Sequence, residues 1–155
     1  MPLIIVDGDP LLTRCSTLGI GHNAKGRTEN TPFTMAVMRR YPAAFSTYTR
    51  QAKKDRQQVG TLFSWNETTP RLLFMTVRAS SVGATRLRYV QQIALTIARD
   101  YRLYQLDNLA IAPLGDKQEQ PEILRLLETW FDKSKLPVIA YREYQEGVQA
   151  DERLG

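Results

Sequence analysis

The hydrophobic positions of this chain follow two patterns, short apolar runs and stripes with a spacing of three or four residues. Short apolar runs are typical of strands, and stripes of this spacing are typical of helices that bury one face. The runs predict strands over residues 3–6, 11–18, 61–65, 72–77, 107–112 and 136–141. The stripes predict helices over residues 32–41, 43–55, 85–101 and 121–131. Strands and helices therefore interleave, which favours an α/β fold.

The order of these elements predicts the architecture. Residues 61–65 and 72–77 flank a turn-like stretch, which is a hairpin pattern. A hairpin added to strands that alternate with helices gives a central mixed sheet, and we expect a three-layer α/β/α sandwich. No repeat, low-complexity tract or linker divides the chain. We expect one domain over residues 1–145, followed by a polar C-terminal tail, residues 146–155, that is frayed.

The composition excludes several protein classes. Hydrophobic residues make up 43% of the 155 residues and charged residues 24%, which excludes disorder, collagen and a disulfide scaffold. No apolar run approaches the ~20 residues that span a bilayer, and the first residues lack the basic start of a signal peptide, so we expect no membrane partner. The single cysteine, Cys15, fits a reducing compartment, and we expect a cytoplasmic protein. One histidine and one cysteine predict no metal site.

The positive charge is concentrated in the amino-terminal part of the chain. The net charge is +5, and residues 1–88 contain 13 basic and 5 acidic residues. Such an excess favours an anionic partner, phosphate or nucleic acid. The basic residues of the first two helices, interleaved with aromatic residues, leave two alternatives open: a nucleic-acid interface, or the solvated faces of two helices. These basic residues are Arg39, Arg40, Lys53, Lys54 and Arg56.

Two glycine-containing stretches follow predicted strands, residues 19–27 and residues 113–117. We expect both to be loops, because glycine is unfavourable in the interior of an element. In an α/β sheet, ligands bind at the carboxyl ends of the strands, and the N–H groups of such loops and of helices starting near Thr31 or Glu119 attract anions. The two loops together predict a cradle for a diphosphate. Residues 21–28 nearly match a P-loop, but the following helix starts only at Pro32, which argues against an ATPase.

Several short motifs occur in the order found in macrodomains, the ADP-ribose-binding α/β/α modules. They are Gly8-Asp9, the stretch 11–20, Lys25-Gly26, Arg39-Arg40-Tyr41-Pro42, Val59-Gly60-Thr61, the stretch 74–80, Ala110-Ile111-Ala112-Pro113-Leu114-Gly115 and Val138-Ile139-Ala140-Tyr141. The chain therefore resembles a macrodomain over residues 3–144. It is most similar to the branch with terminal ADP-ribose glycohydrolases, antitoxins that remove ADP-ribose from DNA, and a chromatin-remodeller macrodomain. The resemblance implies binding of ADP-ribose or an ADP-ribosylated macromolecule, without a cofactor.

The resemblance also implies a role for each residue that matches a family motif. Asp9 would accept a hydrogen bond from the adenine amino group, and Tyr141 would bring an aromatic ring near the ligand. His22 is either a proton carrier beside the ligand or an exposed loop residue. The diphosphate and the distal ribose would lie along Ser16, Gly19, Ile20, Gly21, His22, Asn23, Lys25, Gly26, Leu114, Gly115 and Asp116.

Two departures from the family pattern bear on catalysis. Ser16 stands where many hydrolytic macrodomains carry the asparagine that ends the strand and contacts the distal ribose. Val77 or Arg78 stands where the glycohydrolase branch uses a lysine nucleophile, and an arginine cannot be deprotonated to act as one. Asp116 is the candidate catalytic aspartate, with a helix N-cap as its alternative role. We therefore expect binding of ADP-ribose, with a hydrolase that removes ADP-ribose from protein or nucleic acid as the alternative.

Overall fold

The structure, a computed structural model, describes residues 3–153, and within them six strands form one sheet. The strands are β1 Ile4–Gly8, β2 Thr17–Asn23, β3 Leu62–Trp65, β4 Arg71–Arg78, β5 Leu109–Ile111 and β6 Val138–Tyr144. The α-helices are α1 Pro32–Arg40, α2 Pro42–Lys53, α3 Leu87–Asp100 and α4 Gln120–Phe131, and a short 3₁₀ helix spans Pro10–Leu12. None of the described helices is long and apolar enough to cross a membrane.

The sheet is mixed, with the strand order β1-β6-β5-β2-β4-β3. The pairs β1/β6, β6/β5, β5/β2 and β2/β4 are parallel. The pair β3/β4 is antiparallel and is the hairpin that the sequence predicts. The carboxyl ends of the five parallel strands therefore lie along one edge of the sheet.

Helices cover both faces of the sheet, as β4 illustrates. Side chains of a strand alternate between the two faces. Leu73, Met75 and Val77 belong to the core cluster that includes α3 and α4. Leu72 and Phe74 belong to the cluster that includes α1 and α2. The predicted three-layer α/β/α sandwich with a central mixed sheet is confirmed.

Local sequence signals predict the start of α1 correctly and place the start of α3 two residues too early. Thr31 is the N-cap of α1, where its Oγ1 accepts a hydrogen bond from the Thr34 N–H at 3.2 Å, and Pro32 is the first helical residue. Helix α3 begins at Leu87 rather than at the predicted Thr85. The Thr85 hydroxyl does not cap the helix but donates to the Leu114 carbonyl at 2.6 Å.

The predicted boundary of the second strand is wrong. Residues 13–16 connect the 3₁₀ helix to β2, and β2 continues through Gly19 and Gly21 to Asn23, where a loop was predicted. Both glycines lie where a side chain would crowd its neighbours. A Cβ atom at Gly19 would lie 2.5 Å from Met75 Cε, and one at Gly21 would lie 3.2 Å from Leu114 Cδ2. These glycines let neighbouring side chains approach the sheet and do not turn the chain.

The chain beyond β6 is attached to the domain rather than frayed. We call residues 145–153 the C-terminal segment; residues 154 and 155 of the predicted tail lie outside the described residues. Glu152 is buried, and its carboxylate accepts hydrogen bonds from the Thr13 hydroxyl at 2.6 Å, the Arg14 N–H at 2.8 Å and the Tyr141 hydroxyl at 2.6 Å. The polar sequence of this segment gave no sign of these contacts, and two of the three partners, Thr13 and Arg14, are 139 and 138 positions away.

Candidate functional site

A large cleft opens at the edge of the sheet where the parallel strands end. Its volume is about 1130 Å³, and residues at the ends of β2, β4 and β6 contribute to its lining. We call residues 24–31 the first cleft loop and residues 112–119 the second cleft loop. The first cleft loop leads into α1, and the second leads into α4. The cleft therefore lies where ligands bind in open α/β sheets.

The amino termini of two helices border the cleft. Thr31, Pro32, Phe33 and Thr34 line it at the start of α1, and Gln120 and Pro121 line it at the start of α4. The first turn of a helix has N–H groups without intrahelical partners and a partial positive charge. Two such ends beside one cleft make it suitable for an anion.

The second cleft loop is shaped by a reciprocal cap between Asp116 and Glu119. Asp116 Oδ1 accepts hydrogen bonds from the Gln118 N–H at 2.9 Å and the Glu119 N–H at 2.8 Å. Glu119 Oε1 in turn accepts from the Asp116 N–H at 2.9 Å, and its Oε2 accepts from the Thr85 N–H at 3.0 Å. Asp116 thus caps the turn that precedes α4, and Glu119 ties the second cleft loop to the chain that enters α3.

Arg78, the last residue of β4, connects the walls of the cleft. Its Nε and Nη2 donate to the two carboxylate oxygens of Glu29 at 3.1 and 2.7 Å. Its Nη1 donates to the Thr85 hydroxyl at 2.7 Å and to the Leu114 carbonyl at 2.9 Å. A bidentate guanidinium–carboxylate pair has a fixed geometry. Arg78 therefore holds the first and second cleft loops at a defined separation.

Glu29 belongs to a buried polar cluster under the first cleft loop. Its Oε2 accepts from the Asn23 amide at 2.8 Å and lies 3.6 Å from His22 Nδ1. Burial alone would raise the pKa of the Glu29 carboxyl, but the contact with His22, the charge of Arg78 and the hydrogen bonds from Asn23 and Arg78 lower the pKa to about 2. The Arg78 contacts are shorter than the His22 contact, and we regard them as the stronger restraint.

Phe33 and Tyr144 provide an aromatic end to the cleft. Both line it, and their ring centroids are 5.3 Å apart in an edge-to-face arrangement. Burial, together with the nearby carboxylates of Asp9 and Glu146, raises the pKa of the Tyr144 hydroxyl. The neutral Tyr144 ring can therefore stack on a planar group at neutral pH.

Four of the predicted site residues line the cleft. Gly21 does so from β2, and Leu114, Gly115 and Asp116 do so from the second cleft loop. The backbone at Gly115 runs so close to α4 that a Cβ atom there would lie 2.7 Å from Ile123 Cδ1 and 2.8 Å from Glu119 Cβ. A glycine is therefore needed for the close approach of this loop to the helix.

Other predicted residues lie beneath the first cleft loop or beside it. His22 is buried among the rings of Phe45, Tyr48 and Phe74, so the prediction of an exposed loop residue is wrong. It is not among the residues that line the cleft. Asn23 is buried, and its amide pairs with the backbone of Arg27 at 2.9 and 3.1 Å.

The turn of the first cleft loop faces α2 rather than the cleft. Gly26 has a φ of +67°, and a Cβ atom there would lie 2.8 Å from Ala52 Cβ. Its carbonyl accepts a hydrogen bond from the Thr49 hydroxyl at 3.0 Å. Neither Gly26 nor the exposed Lys25 is among the residues that line the cleft.

The remaining predicted residues lie away from the cleft. Ser16 lies at the amino end of β2, the opposite end of the sheet, where its N–H donates to Asn108 Oδ1 at 2.6 Å. Gly19 and Ile20 are buried inside β2. Tyr141 is buried in the core, and its hydroxyl donates to Glu152. Strand β2 ends in Asn23, seven residues after Ser16, and Ser16 is not among the residues that line the cleft.

Asp9 is covered by the C-terminal segment. Its Oδ1 accepts from the Leu11 N–H at 3.0 Å, and its Oδ2 accepts from the Gly147 N–H at 2.9 Å. The Asp9 N–H donates to the Val148 carbonyl at 2.7 Å. Both carboxylate oxygens are thus engaged by the chain itself.

The basic residues of α1 and α2 do not alternate with exposed aromatic rings. Arg39, Arg40 and Lys53 are exposed, whereas Phe45 and Tyr48 are buried in the core. Nucleic-acid interfaces that bind single strands use exposed rings as stacking platforms. These two helices therefore present a solvated basic face.

Sequence reasoning missed four residues that line the cleft, namely Glu29, Phe33, Gln120 and Tyr144. For three of them, position in the sequence could have indicated a place in the cleft. Phe33 and Gln120 occur at predicted helix starts, and Tyr144 follows the last predicted strand. No group of three or more histidine, cysteine or acidic residues within residues 3–153 is arranged to bind a metal ion.

Comparison of the sequence with protein-family models and with curated proteins finds no match. Comparison of the fold with solved structures finds clear similarity. The macrodomain of DarG from Thermus aquaticus aligns with a TM-score of 0.80 and 16% identity, over 92% of this chain and 97% of the other. DarTG from Thermosipho africanus, in complex with ADP-ribose, aligns with a TM-score of 0.81 and 16% identity, over 99% of this chain and 44% of the other.

A more distant similarity connects the chain to a eukaryotic protein. The Trypanosoma brucei macrodomain in complex with ADP-ribose aligns with a TM-score of 0.60 and 10% identity, over 90% of this chain and 63% of the other. At such identities the likeness is one of fold. The strand order, the two helical layers and the position of the cleft agree with it, and the chain has the macrodomain fold.

Proposed function

We propose that this protein binds ADP-ribose, free or attached to a macromolecule, in the cleft between the two cleft loops. The observation that carries the proposal is the cleft itself, which lies at the carboxyl ends of parallel strands and is bordered by the amino termini of α1 and α4. Two proteins with the same fold are known in complex with ADP-ribose.

Backbone N–H groups are the main candidates to bind the diphosphate. The charged side chains that line the cleft are three cations, Arg78, Lys117 and Arg142, against four carboxylates, so the side chains alone do not attract an anion. Arg78 is paired with Glu29, and Arg142 is paired with Asp7. In contrast, the N–H groups of Leu114 and Gly115 form no hydrogen bond with any residue in the described range 3–153. They provide donors for phosphate oxygens, and the dipoles of α1 and α4 add a partial positive charge beside the cleft.

The aromatic end of the cleft fits the base of the ligand. Phe33 and Tyr144 present ring surface beside the apolar side chain of Leu124 and the ring of Pro121. Stacking on an aromatic ring contributes about 1–3 kcal/mol per base. A cleft that combines free backbone donors with aromatic rings suits a nucleoside diphosphate, which has both phosphates and a planar base.

The residues at the inner end of the cleft favour binding over hydrolysis. Arg78 occupies the end of β4, and its guanidinium, which is not a nucleophile, donates hydrogen bonds to Glu29, Thr85 and Leu114. The Asp116 carboxylate accepts two backbone hydrogen bonds as a cap, so its Oδ1 is already in use. We therefore propose a binding protein and not a hydrolase of ADP-ribosyl linkages.

Isothermal titration calorimetry with ADP-ribose, ADP and ribose 5-phosphate tests the proposal. We expect ADP-ribose to bind, and Tyr144→Ala to weaken its binding at least about fivefold because a stacking ring is lost. Tyr89→Ala, in α3 and outside the cleft lining, is the matched control and should bind normally. Absence of binding at millimolar ADP-ribose would refute the proposal.

A second assay separates binding from hydrolysis. The protein is incubated with ADP-ribosylated protein and ADP-ribosylated DNA, and released ADP-ribose is measured. We expect no release above the uncatalysed rate, because no deprotonable nucleophile lies at the end of β4. Turnover that disappears in Asp116→Ala would show that the hydrolase alternative is correct.

A further inference from the structure

Glu143, near the end of β6, is an unpaired carboxylate in the cleft. The residue is exposed and lines the cleft. Neither of its carboxylate oxygens forms a hydrogen bond or an ion pair with any residue in the described range 3–153. The neighbouring cation, Arg142, is paired with Asp7 instead. The Glu143 carboxylate is therefore free to accept hydrogen bonds from a ligand.

The three other carboxylates that line the cleft are engaged within the protein. Glu29 is paired with Arg78 through both of its oxygens. Both oxygens of Glu119 accept hydrogen bonds from backbone N–H groups. Asp116 accepts two more through its Oδ1. Among the cleft carboxylates of residues 3–153, Glu143 is thus the one with both oxygens available.

A bulge in β6 sets the directions of Glu143 and Tyr144. Val6 of β1 lies opposite Tyr141, but the next residue, Asp7, lies opposite Glu143, so β6 contains one extra residue at this point. A bulge changes the faces to which the following side chains point. Tyr144 therefore lies on the same face as Tyr141, where its ring meets α1, and Glu143 lies on the other side of the strand end. Both residues line the cleft.

The strand order brings a sugar of the ligand beside Glu143. In the proposed function the base stacks at the aromatic end, where Tyr144 ends β6, and the diphosphate binds the N–H groups of Leu114 and Gly115, which follow β5. Strands β5 and β6 are neighbours in the sheet, and neighbouring strands are about 4.8 Å apart. The ribose that joins the base to the diphosphate therefore lies at the end of β6, within reach of the Glu143 carboxylate.

We propose that Glu143 accepts hydrogen bonds from the 2′- and 3′-hydroxyls of the ribose that carries the base, and that it selects a free 2′-hydroxyl against a 2′-phosphate. This inference rests on the proposed function. Two neighbouring hydroxyls offer two donors, which match the two oxygens of a carboxylate. A 2′-phosphate offers acceptors and brings further negative charge beside Glu143. An acidic residue makes the same distinction in dinucleotide-binding folds.

Calorimetry with two ligands that differ only at this position tests the inference. The ligands are ADP-ribose and ADP-ribose with a phosphate on the adenosine 2′-oxygen, and the readout is the ratio of their Kd values. For the wild-type protein we expect ADP-ribose to bind at least about tenfold more tightly, because a hydrogen bond to a charged group is lost and two negative charges meet in the phosphorylated ligand. In Glu143→Gln, which keeps the shape and removes the charge, we expect the ratio to fall below about threefold.

Glu122→Gln is the matched control, because Glu122 is exposed in the first turn of α4 and is not among the residues that line the cleft. It makes the same change in net charge and should preserve the wild-type ratio, and a thermal melt verifies that both variants are folded. The inference is overturned if Glu143→Gln retains the preference or if Glu122→Gln removes it. Binding of neither ligand to the wild type refutes the proposed function itself, whereas equal binding of both refutes only the role of Glu143.

Discussion

The ion pair between Glu29 and Arg78 leads to a quantitative prediction for Glu29→Gln. Glutamine keeps the shape of the side chain but removes the charge that Arg78 faces at 2.7 Å. The pKa of Glu29 is lowered from 4.5 to about 2. At about 1.4 kcal/mol per tenfold change in proton affinity, this corresponds to about 3 kcal/mol of folding free energy at neutral pH.

The pH dependence has a defined sign. Because the pKa of Glu29 is lower in the folded than in the unfolded protein, the stabilisation is fully present above about pH 5 and is lost as the pH falls toward 2. At pH 3 about 2 of the 3 kcal/mol should be lost. We expect the difference between wild type and Glu29→Gln to shrink from about 3 kcal/mol at pH 7 to about 1 kcal/mol at pH 3.

Urea denaturation of both proteins at pH 7 and pH 3 measures this difference. Glu67→Gln, in the exposed connection between β3 and β4, is the control for loss of a surface carboxylate and should change stability by less than about 0.5 kcal/mol. Other carboxylates titrate in both proteins and cancel in the comparison. A difference between wild type and Glu29→Gln that is absent at pH 7, or the same at both pH values, would refute the reasoning.

Two further predictions concern the first cleft loop and the cysteine. Gly26→Ala should lower the free energy of unfolding by about 1–3 kcal/mol, because φ is +67° and the new Cβ would lie 2.8 Å from Ala52 Cβ. Gly147→Ala, with a φ of +75° and open space around it, should be less destabilising, and equal effects in thermal melts would contradict the packing argument. Cys15 is buried with its pKa raised to about 11, mainly by desolvation, so a disulfide reagent at pH 8 should react with it only after denaturation; rapid reaction with the native protein would disprove this.

Local sequence signals predicted the layers of the fold well. The start of α1 is specified within four residues, since Thr31 caps the helix and Pro32 begins it. The stripe that includes Val90, Ala94 and Ile97 identified the buried face of α3. The motif at Leu114 and Gly115 is also contiguous, and both residues line the cleft. Each of these features depends on residues that are close in sequence.

The errors arose where distant residues determine the local structure. Glycine was expected to break the strand, but Gly19 and Gly21 lie inside β2, where a Cβ atom would crowd Met75 and Leu114. This error placed the predicted end of the strand five residues too early, so that Asn23 was expected in a loop. Glu29, Arg78 and Gln120 come from three separate segments of the chain that the fold brings together at one cleft. No local pattern in the sequence indicates that they are neighbours.

The attachment of the C-terminal segment has a consequence for how the chain folds. Glu152 contacts Thr13 and Arg14, which are 139 and 138 residues away, and β1 has β6 as its neighbour at the edge of the sheet. Contacts of such high contact order form late, because a long loop must close before they are gained. On the ribosome, β1 therefore has no native sheet partner until β6 has been synthesised, and the amino-terminal strand stays accessible to chaperones for most of translation.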